Sequence, residues 1–347
     1  IPVGISFYTF QLIGYVIDLN KITGTVATFR DEYNFAGFFP QIVAGPIERK
    51  EKLLPQIKAF SFGLKREHVQ AGLKMIIAGL FYKVVLGDHL AAVSGWCVNP
   101  TDNPYEVWIG SFYFGLRIYF DFAGYSMIAV GLGRIFGVHL TQNFKLPYTA
   151  LNIQQFWARW HYTLSTWFRD YVYIPLGGGR VQWWWVNILV VFVVSGIWHG
   201  AGWNFIIWGF IHGCMLIIYK FIEKWLRLHE FVGWLINVIV VTFSWLCFYE
   251  TNTVQLMHKI AAVFSVNSYS IHNAKVGIAA FGTGLDFLTA LLIAGFSVLI
   301  IGFEYLGLKK RNDPYWIWSS SIVSCMAVIL IYLCALSEEG GFIYFNF

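Results

Sequence analysis

Charge is scarce in this chain. Only 12% of its 347 residues are Asp, Glu, Lys or Arg, against about 25% in an ordinary soluble domain. Hydrophobic residues make up 57% and aromatic residues 19%, and mean hydropathy is +0.59. A water-soluble fold of this size has no interior large enough for so much apolar surface. The composition therefore predicts an all-α polytopic protein with the lipid bilayer as its solvent. The small basic excess, a net charge of +5, suits loops beside anionic lipid and calls for no nucleic-acid partner. Cysteine is sparse as well. Five thiols, at 97, 214, 247, 325 and 334, show no C-x-x-C spacing. That argues against a disulfide framework or a zinc site and for buried core thiols; no metal is expected. Phosphate-loop, nucleophile-elbow and H-E-x-x-H patterns are all missing, which removes the common routes to NTP hydrolysis, serine hydrolysis and zinc proteolysis. Gly177–Gly179 reads as a turn rather than a phosphate cradle. No initiator Met opens "IPVGISFYTF", and no basic region or cleavage site marks a signal peptide. The sequence reads as a fragment begun inside a longer protein, with "GGFIYFNF" as a natural end.

What is present is a series of apolar runs near 20 residues. They predict spans around 1–19, 70–88, 107–136, 184–201, 203–221, 232–249, 286–306 and 315–336, within a single domain over 1–347. The run 107–136 is long for one span, and a tilted or broken helix is expected there. Two stretches do not fit simple spans. "YNFAGFFPQIVAGPI" (33–47) is short and holds two prolines. The segment 141–180 mixes aromatics with Lys145, Arg159, His161, Arg169 and Asp170. Both predict re-entrant or interfacial chain, which is tolerated at membrane depth only inside protein or beside a water-filled cavity. Basic loops at Arg49–Arg66, Lys220–Arg227 and Lys309–Arg311 are expected to share the cytoplasmic side.

An ionisable side chain in an apolar run is costly, about 2.5–3.5 kcal/mol for a charge at a helix centre. Histidine is the cheapest exception, because its ordinary pKa near 6.5 leaves a neutral ring at pH 7 that can still accept a proton. His199 sits in "SGIWHGAGWNFIIWG". Gly196, Gly200 and Gly202 would let a substrate or a helix approach, and Trp198 and Trp203 would wall a pocket. Two readings stay open for it: a core histidine satisfied by a carbonyl, or a general base. His161 lies in "FWARWHYTLSTWFRDY". On a continuous helix it shares a face with Trp157 and Ser165, and an interfacial amphipathic helix explains the stretch equally well. Arg117 and Asp121, one turn apart, suggest a structural ion pair. His212 suggests packing. His68, His229, His258 and His272 fall in loops.

Six blocks together carry a resemblance: "PVGISFYTFQ" (2–11), "FFPQIVAGPIER" (38–49), "IYFDFAGYS" (118–126), "QNFKLPY" (142–148), "FWARWHYTLSTWFRDYVYIPLGG" (156–178) and "SGIWHGAGWNFIIWG" (195–209). In this order they resemble the membrane-bound O-acyltransferase (MBOAT) family, and within it the bacterial alginate O-acetylase branch. The peptidoglycan O-acetylase and the D-alanyl transfer protein of teichoic acid synthesis are near relatives. The resemblance implies a ring of transmembrane and re-entrant helices around a central tunnel, with further helices preceding this fragment. It places the family's invariant histidine at His199 and a second important polar residue at His161, 38 positions earlier. Trp198, Gly200, Trp203, Trp160 and Ser165 would line the tunnel. Arg159, Arg169 and Lys145 would meet donor phosphates. No bound cofactor is implied; acetyl-CoA or a carrier-protein thioester would be the acyl donor on the cytoplasmic side. An extracytoplasmic polysaccharide, with a partner acetyltransferase, would be the acceptor, and the setting would be the bacterial inner membrane. Ala158 and Met127 depart from the branch's common "FWRRWH" and "GYSD", which touches auxiliary contacts rather than the histidines. Outside the family, the same polar groups would also suit a proton-coupled transporter or a non-catalytic scaffold of an export complex.

Overall fold

The computed structural model describes residues 4–21, 28–42, 45–60, 63–95, 100–226, 228–280 and 285–335. Cys97, Arg227, the block ends at Pro2, Val3, Val43 and Ala44, and the terminal "GGFIYFNF" lie outside them. Among the described residues every regular element is helical.

Among the described residues four helices are long and apolar enough to cross a bilayer: 66–94, 203–222, 230–249 and 286–311. Shorter apolar helices cover Ile5–Leu19, Trp184–His199 and Ser321–Cys334. The first predicted span is α1 (Ile5–Lys21). The second is α4 (Arg66–Leu80), which runs through a wide-turn π segment at Phe81–Gly87 into α5 (Asp88–Gly95). The run expected to be tilted or broken is one unbroken helix, α6 (Pro104–Ile135), with Asn103 capping its first turn. Between these lie two short helices, α2 (Phe29–Ala36) and α3 (Lys50–Lys58). Lys58 stands 2.8 Å from Asp31 and holds that carboxyl below its usual range.

Close packing of α4 on α6 depends on two facing pairs of glycines. A Cβ on Gly79 would lie 2.6 Å from the Gly124 oxygen, and one on Gly131 would lie 2.7 Å from the Gly72 oxygen. Without side chains the two backbones meet directly, which is how helices associate in lipid. A buried charge cluster sits higher on the same pair. Asp121 was expected to pair with Arg117 on its own helix. Asp121 takes Lys83 of the π segment at 2.9 Å, while Arg117 donates to Ser94 Oγ at 3.3 Å and stays within electrostatic reach of Asp121. The wide turn brings Lys83 round to α6, a contact that helical spacing alone could not suggest.

The second helical hairpin is α9 (Trp184–His199) and α10 (Trp203–Ile222), followed by α11 (Glu230–Tyr249). Gly196 and Gly209 again allow the approach: a Cβ on either would collide with the carbonyl of Phe205 or Phe192 across the hairpin. Beyond it come α12 (Thr253–Phe264) and α13 (Ile271–Ala279), neither predicted as a span because neither is a long apolar run. The former buries Lys259 against Glu250 at 2.7 Å. The last two spans are α14 (Leu285–Arg311) and α15 (Ser321–Cys334). The latter starts later than the predicted 315, because Trp316–Ser319 forms a short 3-10 turn.

The stretch 141–180 is not a continuous helix. It holds α7 (Ile153–Arg159), α8 (Tyr162–Phe168) and a π turn at Arg169–Tyr173. Its irregular parts are bonded into the protein, as membrane depth requires. Tyr315 Oη donates to the Phe144 carbonyl at 2.9 Å, Trp234 Nε1 to that of Tyr148 at 2.9 Å, and Asn237 Nδ2 to that of Ala150 at 3.2 Å.

Candidate active site

His199 is the last residue of α9, where the hairpin turns. Its ring is 8% exposed and lies edge-on among three aromatics: Trp198 at 4.6 Å, Phe248 of α11 at 5.0 Å and Trp208 of α10 at 5.1 Å between ring centres.

His161 occupies the break between α7 and α8. It is 1% exposed and adopts a left-handed backbone, φ 41° and ψ 54°. Such a conformation is uncommon for a residue with a Cβ, and it clusters at functional sites. Phe122, from the middle of α6, meets the ring edge-on at 4.7 Å; Phe7 of α1 stacks on it at 6.1 Å. Neither ring nitrogen has a hydrogen-bond partner among the described residues. Buried polar atoms are nearly always paired, so an imidazole with no partner among the described residues is a candidate binding group.

The two histidines converge. Phe7 touches both His161 and Trp198, the latter at 6.1 Å, and Trp198 touches His199. The imidazoles are within electrostatic reach of each other. Residues distant in sequence, from α1, α6, α8 and α9, thus enclose one aromatic-walled centre.

Other expected site residues fall in different places. Trp198 is half-buried beside His199 and packs edge-on to Phe10 at 5.2 Å. Trp203, expected to wall the pocket, is 67% exposed at the first turn of α10; it starts a helix whose inward face begins at Asn204 and Phe205. Trp208, fully buried, and Phe248 take the place expected of it. Gly200 leaves no open space for a substrate, because the Phe205 ring fills the position a Cβ would take. Trp160 lies inside an aromatic cluster, 5.0 Å from Trp245 and 5.1 Å from Phe144. Ser165 donates to the Trp160 carbonyl at 3.2 Å, closing the turn around His161. Trp157 and His161 do not share a helical face, since the helix ends between them. Trp157 instead meets His212 at 5.0 Å. His212 is fully buried and bonds Ser244 Oγ through Nε2 at 2.9 Å, in keeping with the packing role expected of it.

The expected donor-phosphate residues line one exposed edge. Lys145 is exposed over the Tyr162 ring at 5.4 Å, and its amide bonds the Arg159 carbonyl at 3.0 Å. Arg159 donates to Thr149 Oγ1 at 2.8 Å; burial lowers its guanidinium from its ordinary value, yet arginine stays charged. Arg169 is exposed and pairs with Asp170 at 2.8 Å; Asp170 also takes Arg49 at 3.2 Å. Among the described residues no group of histidine, cysteine or acid has the arrangement of a metal site.

The profile of the MBOAT, membrane-bound O-acyltransferase family, matches residues 24–257. A peptidoglycan O-acetyltransferase of Helicobacter pylori is 32% identical, with 100% of this chain and 75% of the relative aligned. A probable alginate O-acetylase of Pseudomonas putida is 35% identical over 90% of this chain and 65% of its own length. A teichoic acid D-alanyltransferase of Bacillus subtilis is 31% identical over 71% of this chain and 66% of its own. The chain thus spans about two thirds of the length of the last two relatives. The profile match over most of the chain and the relatives at 31–35% identity place this protein in the membrane-bound O-acyltransferase family.

Proposed function

We propose that this protein transfers an acyl group, acetyl in the first instance, from a cytoplasmic thioester to a hydroxyl on an extracytoplasmic polysaccharide or a partner protein that hands it on. The observation that carries this reading is the convergence of His161 and His199 in one buried aromatic centre. His199 acts as general base. As the acceptor oxygen attacks the thioester carbonyl, its proton passes to the imidazole, and the new C–O bond forms. The C–S bond then breaks, and the imidazolium returns the proton to the departing thiolate. His161, whose ring nitrogens have no partner among the described residues, holds the donor carbonyl or orients the acceptor. General-base assistance of this kind contributes typically about 10²–10⁴ in rate, and excluding bulk water from a site that aligns both substrates supplies more.

The donor is acetyl-CoA or an acylated carrier protein, and Arg159, Arg169 and Lys145 offer charge for its phosphates at the exposed edge. Peptidoglycan and alginate O-acetylating relatives support acetyl as the group; the D-alanyltransferase relative supports an aminoacyl group as the second reading. The cell membrane of a bacterium is the setting this chemistry needs, with donor on one side and acceptor on the other.

The test is His199→Ala in the full-length protein, expressed in cells lacking it. Ester-linked acyl groups released from the cell surface by mild alkali are expected to fall to background while the variant accumulates in the membrane as the parent does. Parental ester content with equal expression overturns the assignment. Identifying the released acid as acetate or D-alanine separates the two acyl readings.

A further inference from the structure

Asn143 lies in the irregular chain before α7, 1% exposed. Its backbone carbonyl accepts from the Tyr162 amide at 2.9 Å. Its side-chain Oδ1 accepts from the Thr163 amide at 3.3 Å and from Thr163 Oγ1 at 2.6 Å. Thr163 Oγ1 in turn accepts from the Ile47 amide at 2.9 Å. One residue therefore holds both positions that follow His161, and a second segment, 45–48, locks the hydroxyl between them.

That grip falls where it is needed. His161 keeps a left-handed backbone despite its Cβ, and such a residue holds that conformation only where its surroundings over-determine it. Its ring nitrogens bond to nothing among the described residues, so no hydrogen bond of its own sets the direction of the imidazole. The backbone turn and the Phe122, Phe7 and Phe144 rings set it instead.

We infer that Asn143 is a positioning residue for acyl transfer: its side-chain oxygen and carbonyl fix the turn that presents His161 to the shared centre. The inference rests on the reading above that His161 takes part in the reaction. It goes beyond that reading in naming what holds His161, and through which atoms. The amide nitrogen of Asn143 has no partner among the described residues, so only the oxygen is required. Asn143→Asp keeps an acceptor in the same place, and Thr163→Val removes the donor while keeping the side-chain shape.

The experiment is a double-mutant cycle in the full-length protein, read as the initial rate at which alkali-releasable esters appear on the surface of cells with matched membrane expression. Asn143→Ala and Thr163→Val are each expected to slow the rate by about 10²-fold, the scale of a misplaced reacting group. Asn143→Asp restores most of the rate. In a His161→Ala background, Asn143→Ala adds less than about a twofold loss, because residues acting through one another are not additive. Hydrogen exchange in the purified proteins is expected to rise at 160–166 in Asn143→Ala and not in α9. Equal losses in both backgrounds, a parental rate in Asn143→Ala, or no rescue by Asp overturns the inference. A parental rate in His161→Ala alone is a different failure, that of the role given to His161.

Discussion

His199 and His212 are both buried in the α9–α10 hairpin, and both touch Trp208, at 5.1 and 4.9 Å. Their surroundings separate them. His212 has its Nε2 engaged by Ser244 of the neighbouring helix, a bond that ties α10 to α11. His199 stands at a helix end where the chain turns. His212→Ala is therefore expected to cost stability, about 2–5 kcal/mol for a truncated buried ring, and to leave ester formation per folded molecule unchanged. Thermal unfolding of the purified protein beside the cell-surface ester assay checks this; a selective loss of esters with unchanged stability would place His212 in the chemistry. The sequence made His199 conspicuous, as a histidine in an apolar run between glycines. It could not decide between core and base, because that depends on which rings from α10 and α11 surround it. Trp208 and Phe248 were illegible as site residues for the same reason. Trp208 sits in the very block that carries His199, but the direction it faces follows from hairpin packing, which spacing alone does not fix. Trp203 illustrates the opposite error, a tryptophan near the histidine in sequence and outside its pocket in space.

Spans were the most legible elements, because a bilayer demands length and apolarity and both are properties of sequence. The unbroken α6 shows the limit. Its length suggested a tilt or a break, yet it runs unbroken, with Lys83 answering Asp121 and with Gly124 and Gly131 taken up by contact with α4. The helices α12 and α13 escaped detection because they are too short to span. At Gly79 the contact is backbone on backbone, so Gly79→Leu is expected to force α4 from α6 at a cost of about 1–3 kcal/mol. A lower melting temperature of the detergent-solubilised protein is the predicted result; parental stability would show that the helices pack less closely than described. Between α6 and α9, the segment 141–180 needed tertiary information most. Its residue types announced that it was not a simple span. Where it breaks, at His161, is set by bonds from Asn143 and Thr163 that no local pattern reveals.

Across the whole molecule several helix ends gather together. Glu67 and Arg134 share a cleft of about 580 Å³ with Asp313, which brings the start of α4, the end of α6 and the turn after α14 to one end of the bundle. Lys309 is within electrostatic reach of Glu230, adding the α10–α11 turn to that end. The α9 helix starts near it, since Trp184 meets Phe221 at 5.2 Å. Sixteen residues of α9 then separate this end from His199, roughly 24 Å at 1.5 Å per residue. Replacing Lys145, Arg159 and Arg169 together by Gln is expected to raise the KM for acetyl-CoA, to blunt its dependence on salt, and to leave kcat near parental. Steady-state kinetics at two ionic strengths would show this; a fall in kcat with unchanged KM would contradict it.

The central claim is that His199 performs proton transfer in a buried centre. Inside-out membrane vesicles carrying the full-length protein, given radiolabelled acetyl-CoA, test it most directly. Label should enter an alkali-labile product with the parent protein and fall by at least about 10²-fold with His199→Ala, while donor affinity is unchanged. Label transferred at the parental rate by His199→Ala would contradict the account.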